Sequence, residues 1–184
     1  MGWPYITFEP MYKYYYLISM GFHTSQLLSQ LAFEDWSRSD FLEMNLHHVV
    51  TVYLFGFSYI GNFMIGGPVT FLHNWGDVAI SWTRMWIETR YHSTLGMYSF
   101  IVAQAVWVYT RLYVFGQLIL SIMSFEVFLL NQYILGTFIL FLCCLYLLHV
   151  YWFIRMLGIT YRSLIGGQAP EDSIDQIKRR DSSA

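Results

Sequence analysis

Two adjacent histidines, His47 and His48, stand in a strongly apolar stretch of the sequence, and Thr51 follows about one helical turn later. An imidazole is ionisable and can give up or take up a proton near neutral pH. His73 and Asp77 are four residues apart, a spacing that places both side chains on one face of a helix. A carboxylate near an imidazole can orient or polarise it. Ionisable residues inside apolar stretches are costly, so these residues are candidates for one functional polar site.

The elements that must position these residues are helices long enough to cross a membrane. The chain has 184 residues, of which 56% are apolar and 12% charged, which is too apolar for a domain whose surface faces water. Five apolar stretches reach the ~20 residues that a membrane span needs, at 11–33, 40–65, 68–87, 94–123 and 133–157. We expect an all-α polytopic membrane domain of about five transmembrane helices at 1–165, followed by a polar tail at 166–184.

Two local signals predict where the second and third helices begin. Asp40 and Glu43 form a capping-box-like pair at the start of the second helix, and Pro68 falls in the first turn of the third. The short connection predicts a tight antiparallel hairpin. Its polar residues would then lie at comparable depth, so we expect one interior cavity lined by His47, His48, His73 and Asp77.

Other interpretations of the same residues stay open. Polar side chains inside a membrane can simply cross-link helices through hydrogen bonds. The adjacent histidines could bind a metal with Asp77, but His23, His92 and His149 stand alone rather than in histidine boxes, so we predict no metal. A haem between His48 and His149 remains possible in principle, although no spacing in the sequence is specific for it.

Charge distribution gives further expectations. Arg111 lies far from either end of the fourth stretch, so we expect it to pair with Asp77 or with a lipid phosphate. A formal charge of −2 gives no attraction to nucleic acid. Most Lys and Arg residues fall on the C-terminal side of a five-span topology, which predicts a C-terminus in the cytosol or the mitochondrial matrix.

Six groups of residues also carry a family resemblance. In chain order they are Asp40-Phe41, His47-His48-Val49-Val50-Thr51, Phe57-Ser58-Tyr59 with Asn62, His73-Asn74-Trp75-Gly76-Asp77, Thr110-Arg111-Leu112 and Leu148-His149-Val150-Tyr151-Trp152-Phe153. This series resembles the ordered landmarks of the ceramide synthases of the TLC-domain family. The resemblance implies a helical barrel that opens to the membrane and transfers an acyl group from acyl-CoA to a sphingoid base.

The resemblance also implies roles for single residues. His47 or His48 would act as base or acyl-accepting nucleophile, Asp77 would orient or polarise it, and Arg111 and Asn62 would contact lipid. Two departures from the family pattern bear on activity. Asn74 replaces the first acid of a His-Asp-x-x-Asp motif, and the chain begins at what resembles the second of six core helices.

These departures lead to two functional hypotheses. The first is an incomplete barrel without catalysis, a lipid-binding accessory subunit of a larger membrane complex in the mitochondrial inner membrane, for example of the respiratory chain. Its partners would be membrane lipids and other subunits, with no nucleic acid and no cofactor. The second is an active sphingosine N-acyltransferase of the endoplasmic reticulum, with acyl-CoA as its substrate.

Overall fold

The computed structural model describes residues 9–33, 36, 40–60, 66–88, 93–125 and 132–166, and the following account concerns these residues alone. They are almost entirely helical and contain no strand. The helices are α1 (Pro10–Phe33), α2 (Phe41–Ile60), α3 (Gly66–Glu88), α4 (Ser93–Trp107), α5 (Phe115–Phe125) and α6 (Gln132–Gly166). A π-helical segment, Val108–Val114, joins α4 to α5 without a break. The described helices therefore form five continuous rods, one for each predicted stretch.

Membrane spanning is supported most directly for the last two rods. Two helical stretches, Leu95–Ser124 and Gly136–Ile165, are long and apolar enough to cross a membrane. The crossing of the membrane by α1, α2 and α3 stays a prediction. Helix α6 has 35 residues and a length of about 52 Å, which exceeds the ~30 Å hydrocarbon layer. It must therefore tilt or extend beyond the hydrocarbon.

The helix boundaries follow the local signals in part. Helix α2 begins at Phe41, directly after Asp40, whose carbonyl accepts the N–H of Met44 at 3.0 Å. Helix α3 begins at Gly66, so that Pro68 lies in its first turn as predicted. Helix α6 continues to Gly166, well beyond the predicted end at residue 157.

Burial in the described residues differs from that of a soluble protein, because buried polar side chains share the core with apolar ones. Ionisable side chains are among the most buried, including Arg111 and His149, whereas large apolar side chains such as Phe71 and Leu147 are exposed. Lipid is as apolar as these outer side chains, whereas a charged group inside a membrane needs a protein partner. This distribution suits a helical protein with a lipid-facing surface and a polar interior.

The described residues fall into two compact units. The first unit holds α1, α2, the start of α3, most of α5 and the first part of α6, from within Met1–Trp36, Asp40–Phe71 and Gln117–Leu145. The second holds the rest of α3, α4, the π-helical segment, the start of α5 and the rest of α6, from within Leu72–Gly116 and Tyr146–Ala184. Each unit is described by itself.

In the first unit, a hydroxyl pair connects three helices. The Tyr16 hydroxyl of α1 lies 2.8 Å from the Ser58 Oγ of α2, and both side chains are fully buried. Ser58 Oγ also accepts the backbone N–H of Gly66 at 3.3 Å. That N–H is in the first turn of α3, where backbone donors lack a partner within the helix. Ser58 therefore caps α3 while it holds α1 against α2.

In the second unit, polar contacts hold α4 between two other helices. The Thr83 hydroxyl of α3 donates to the carbonyl oxygen of Ser99 on α4 at 3.0 Å. Five residues further along α4, the Gln104 amide donates to the Thr160 hydroxyl of α6. These bonds set the positions of α3, α4 and α6 around the residues described next.

Candidate functional site

The second unit contains a buried pair of imidazoles. Nε2 of His73 on α3 lies 3.1 Å from Nε2 of His149 on α6, and the ring centroids are 4.8 Å apart. His73 is 5% exposed and His149 is 0% exposed. The two residues are separated by 76 positions in the chain, so the contact depends entirely on the packing of α3 against α6.

Arg111, at the middle of the π-helical segment, binds both histidines. Its Nη1 lies 3.2 Å from His149 Nε2, and its Nη2 donates to the backbone carbonyl of His73 at 3.0 Å. The same Nη2 forms a salt bridge with the Asp77 carboxylate. The guanidinium is only 2% exposed, so this carboxylate compensates a charge that has left water. Of the two partners predicted for Arg111, Asp77 and a lipid phosphate, the structure shows the pairing with Asp77.

Aromatic side chains enclose the imidazoles and the guanidinium. The Arg111 guanidinium carbon lies 4.3 Å from the ring centroid of Trp107, a cation–π contact. The indole N–H of Trp107 donates to the His149 carbonyl at 3.2 Å. The Phe115 ring packs edge-on against His73 and His149, with centroids 5.3 Å and 5.5 Å away. The polar groups therefore sit in an apolar setting that strengthens their electrostatic interactions.

The π-helical segment explains how one rod presents three residues to the same imidazole. Trp107, Arg111 and Phe115 are spaced by four residues, and in an α-helix each step of four rotates the side chain by about 40°. Over two such steps, the side chains of Trp107 and Phe115 would point in directions that differ by about 80°. Backbone bonds from residue i to i+5 widen the turn and reduce this rotation. The wider turn keeps all three residues against His149.

Asp77 differs from its partners in exposure. Its side chain is 57% exposed, although one carboxylate oxygen binds the buried Arg111. His73 and Asp77 are one turn apart on α3, so the exposed part of the carboxylate lies near the buried imidazole along the same helix. Asn74, which replaces the first acid of the His-Asp-x-x-Asp motif, is also exposed. The second acid of that motif, Asp77, is present and compensates the charge of Arg111.

In the first unit, the adjacent histidines lie on the buried face of α2. His47 and His48 are both buried, with ring centroids 5.4 Å apart. Thr51 is buried on the same face, and its Oγ1 makes no hydrogen bond with any of the residues that the structure describes. A further buried histidine of this unit, His23 on α1, packs against Phe55 with centroids 5.3 Å apart.

The predicted site residues are divided between the two units. His73, Asp77 and Arg111 come together in the second unit, while His47 and His48 are buried in the first. The single cavity predicted for His47, His48, His73 and Asp77 stays a prediction. Asn62, predicted to contact lipid, lies outside the described residues, as does the tail after Gly166.

The alternatives involving metal and haem can be set against the same geometry. In the ranges that the structure describes, no group of three or more His, Cys, Asp or Glu side chains is arranged to hold a metal ion. His149, considered as a haem ligand together with His48, has its Nε2 engaged by His73 and Arg111. This arrangement does not fit axial ligation through that nitrogen.

Sequence reasoning did not identify three members of this cluster. His149 appeared to stand alone, because a pattern of apolar residues does not show which faces of α3 and α6 meet. Trp107 and Phe115 were not singled out among the many aromatic residues of the sequence. Their spacing of four residues on either side of Arg111 is visible in the sequence, but their common face depends on the π-helical segment between them.

Comparison with known proteins places the chain in a family. The model of the TLC domain matches residues 1–158. The chain belongs to the TLC-domain family. This TLC-domain chain is similar to mouse ceramide synthase 4, with 34% identity over 99% of the chain and 46% of the relative. It is also similar to sphingosine N-acyltransferase lag1 of Schizosaccharomyces pombe, with 28% identity over 94% of the chain and 47% of the relative.

A plant relative extends the similarity. Ceramide synthase 1 LOH3 of Arabidopsis thaliana is 29% identical over 98% of the chain and 60% of its own length. The chain thus spans about half the length of the curated relatives it matches. Family membership and the apolar helices identify an integral membrane protein. Nothing in these comparisons supports the hypothesis of a non-catalytic accessory subunit in a mitochondrial complex.

Proposed function

We propose that this TLC-domain protein is a sphingoid-base N-acyltransferase that uses acyl-CoA. The observation that carries the proposal is the cluster of three buried ionisable side chains, His73, His149 and Arg111, which the partly exposed Asp77 joins through its salt bridge to Arg111. Buried ionisable groups in a membrane protein are costly, so their presence favours a functional role. The names of the relatives supply the reaction class. By the same analogy, we propose the endoplasmic reticulum as its location.

The reaction needs a base and a way to hold an amine. The amine nitrogen attacks the thioester carbonyl, a C–N bond forms and the C–S bond breaks. The amine proton passes to a base, and the coenzyme A thiolate leaves and takes up a proton. His73 supplies an imidazole for the proton transfer, and the exposed part of the Asp77 carboxylate can bind the amine one turn away on α3.

The departure from the family motif at Asn74 leaves intact the side chains that the proposed reaction uses. An amide cannot carry the negative charge of an aspartate. The charge that compensates Arg111 comes from Asp77 instead. The cluster therefore keeps its ion pair despite the departure at position 74. His47 and His48 remain the alternative base or acyl acceptor, as the family resemblance implies, and the same assay tests them.

The direct test is acyl transfer by purified protein in lipid nanodiscs. Labelled long-chain acyl-CoA and sphingosine are supplied, and the N-acyl product is measured by mass spectrometry. We expect product from the wild type and a loss of about 10²-fold or more in His73→Ala, the usual contribution of a positioned acid or base. The same loss in His48→Ala alone would assign the base to the first unit.

A matched control comes from another polar contact in the second unit. Gln104 on α4 bonds to Thr160 of α6 without touching the histidines, so Gln104→Leu removes a part-buried polar group at a comparable position. We expect this variant to retain transfer within a few-fold. Absence of product from folded wild-type protein would contradict the proposed function, as would equal losses in Gln104→Leu and His73→Ala.

A further inference from the structure

Four exposed polar side chains form a stripe along α3. They are Asn74, Asp77, Ser81 and Arg84. Their spacing alternates between three and four residues, which is the period of an α-helix, so all four point within an arc of about 80°. The stripe belongs to the second unit, and Asp77 connects it to the buried cluster through the salt bridge to Arg111. This polar stripe therefore runs from the candidate site towards the C-terminal end of α3.

An apolar stripe of α3 lies directly beside the polar one. Trp75, Val78 and Trp82 each follow a member of the polar stripe by one position, and they are 55%, 61% and 57% exposed. Exposed apolar side chains suit a lipid surface, whereas exposed polar side chains inside a membrane span are costly and face a cavity or a polar ligand. In the predicted span of α3, the polar stripe is therefore a candidate wall of a ligand site.

Hydrogen bonds within the second unit show which helix ends lie together. Thr83 of α3 bonds to Ser99 near the start of α4, and Gln104 of α4 bonds to Thr160 of α6. The imidazole pair of α3 and α6 lies N-terminal to these bonds on both helices. The C-terminal ends of α3 and α6 therefore lie at the same end of the unit.

This end of the second unit is basic. The helix ends carry three arginines and one acid, namely Arg84, Arg155, Arg162 and Glu88. An excess of positive charge attracts an anionic ligand. A guanidinium presents a planar fork of donors that matches a phosphate group, and Arg84 is the arginine that belongs to the polar stripe.

We propose that the polar stripe binds the phosphopantetheine arm of acyl-CoA, with Arg84 at the phosphates and the thioester near Asp77. Arg84 lies seven residues from Asp77, a rise of ~10.5 Å along α3. The arm has about 13 bonds between sulfur and phosphorus, so it spans up to ~15 Å at the ~1.1–1.2 Å per bond of an extended chain. The long side chain of Arg84 covers the difference. Acyl-CoA as the ligand rests on the proposed function, whereas its direction along α3 goes beyond it.

The chemistry of the arm fits the stripe better than that of a phospholipid. Pantetheine carries two amides and a hydroxyl group, which can exchange hydrogen bonds with the Ser81 hydroxyl between the two ends. A phospholipid would bring a phosphate to Arg84 but would place acyl chains beside Ser81 and Asp77. A ligand with a phosphate at one end and a polar arm of about two helical turns matches the whole stripe.

The first test measures binding without acyl transfer. Free coenzyme A is titrated into protein in phosphatidylcholine nanodiscs, and Kd is determined by isothermal titration calorimetry. We expect Arg84→Gln to raise Kd by about fivefold, the upper range for an exposed ion pair. Lys13→Gln removes an exposed cation from α1 in the first unit and is the matched control, so its Kd should equal that of the wild type. No binding by folded wild type, or the same Kd in wild type and Arg84→Gln, would overturn the proposal.

The second test locates the two ends of the arm. Palmitoyl-CoA is compared with palmitoyl-pantetheine, a thioester without phosphates, as acyl donor to sphingosine. We expect Arg84→Gln to raise KM about fivefold for palmitoyl-CoA alone and to leave kcat within a few-fold. Ser81→Leu should raise KM for both donors, because it places an apolar side chain against the arm. Ser121→Leu, which changes an exposed serine of α5 in the first unit, should raise neither.

The outcomes separate this proposal from the proposed function. If coenzyme A binding depends on Arg84 but no acyl transfer to sphingosine occurs, the proposed function fails and the direction of the arm stands. If the wild type transfers acyl groups while Arg84→Gln changes KM equally for both donors, or Ser81→Leu changes neither, the direction of the arm is wrong and the proposed function stands.

Discussion

Gly76 lies directly against the side chain of Arg111. A β carbon built on Gly76 would be 2.6 Å from Arg111 Nε and 3.3 Å from Nη2. Such a distance is well inside van der Waals contact, so only a residue without a side chain lets the guanidinium reach the backbone of α3. Arg111 Nε is buried and makes no hydrogen bond within the described part of the chain, which is consistent with this close packing.

The first prediction follows from this contact. Gly76→Ala should displace the Arg111 guanidinium and break its bonds to His149 and to the His73 carbonyl. We expect acyl transfer to fall by about 10-fold to 100-fold, although alanine favours helix formation over glycine by ~1 kcal/mol. Gly96→Ala in α4 is the matched control, because its β carbon would meet only ordinary contacts of at least 3.6 Å. Equal activity of the two variants would contradict this role of Gly76.

The second prediction concerns the charge of Asp77. Asp77→Asn leaves the buried Arg111 without its carboxylate, and breaking a buried ion pair costs about 3–5 kcal/mol. Because Asp77 is 57% exposed, water screens the pair and we expect a smaller loss of about 1–3 kcal/mol. In a chain of this size, that lowers the melting temperature by several degrees. Asp77→Glu keeps the charge and should melt closer to the wild type in detergent. An unchanged melting temperature in Asp77→Asn would show that the pair contributes no stability.

The third prediction separates the two contacts of Trp107. Trp107→Phe keeps an aromatic face for Arg111 but loses the N–H that donates to the His149 carbonyl, which costs about 1 kcal/mol. Trp107→Leu also loses the cation–π contact, which adds about 1–2 kcal/mol in a desolvated site. The melting temperature should therefore be highest for the wild type, lower for Trp107→Phe and lowest for Trp107→Leu. Equal melting of the Phe and Leu variants would exclude a contribution from the cation–π contact.

The fourth prediction tests the hydroxyl pair of the first unit. Tyr16→Phe removes the bond to Ser58 while the ring keeps its packing against Phe55, with centroids 5.6 Å apart. We expect a loss of about 1 kcal/mol. Ser58→Ala should cost more, because it also removes the acceptor for the Gly66 N–H at the start of α3. The ranking is read from thermal unfolding, and a Ser58→Ala variant as stable as Tyr16→Phe would show that the cap contributes nothing.

Much of the helical architecture could be predicted from the sequence. Long apolar runs fix the number and approximate bounds of the rods, because a backbone in a membrane must satisfy its own hydrogen bonds. Asp77 could also be predicted as one of two partners for Arg111, the other being a lipid phosphate, because an intramembrane arginine needs an anionic partner. The extension of α6 to Gly166 could not, since its last residues are no longer uniformly apolar.

The partner of His73 could not be predicted for a physical reason. His149 is 76 residues away, and apolar periodicity shows neither the rotation of α6 nor the face that it turns towards α3. The π-helical turn around Arg111 could not be predicted from the sequence either, because it depends on packing rather than on helix propensity. The aromatic residues at four-residue spacing were present in the sequence, but their common face follows only from the widened turn.

The most direct measurement of the central claim is the stoichiometry of the proposed reaction. Purified protein in nanodiscs receives acyl-CoA with or without sphingosine, and the amide product and free coenzyme A are quantified together. We predict that both appear in equal amounts, that both require sphingosine, and that both fall by about 10²-fold or more in His73→Ala. Release of coenzyme A without amide, or amide formation that persists in the double variant His48→Ala/His73→Ala, would contradict the account.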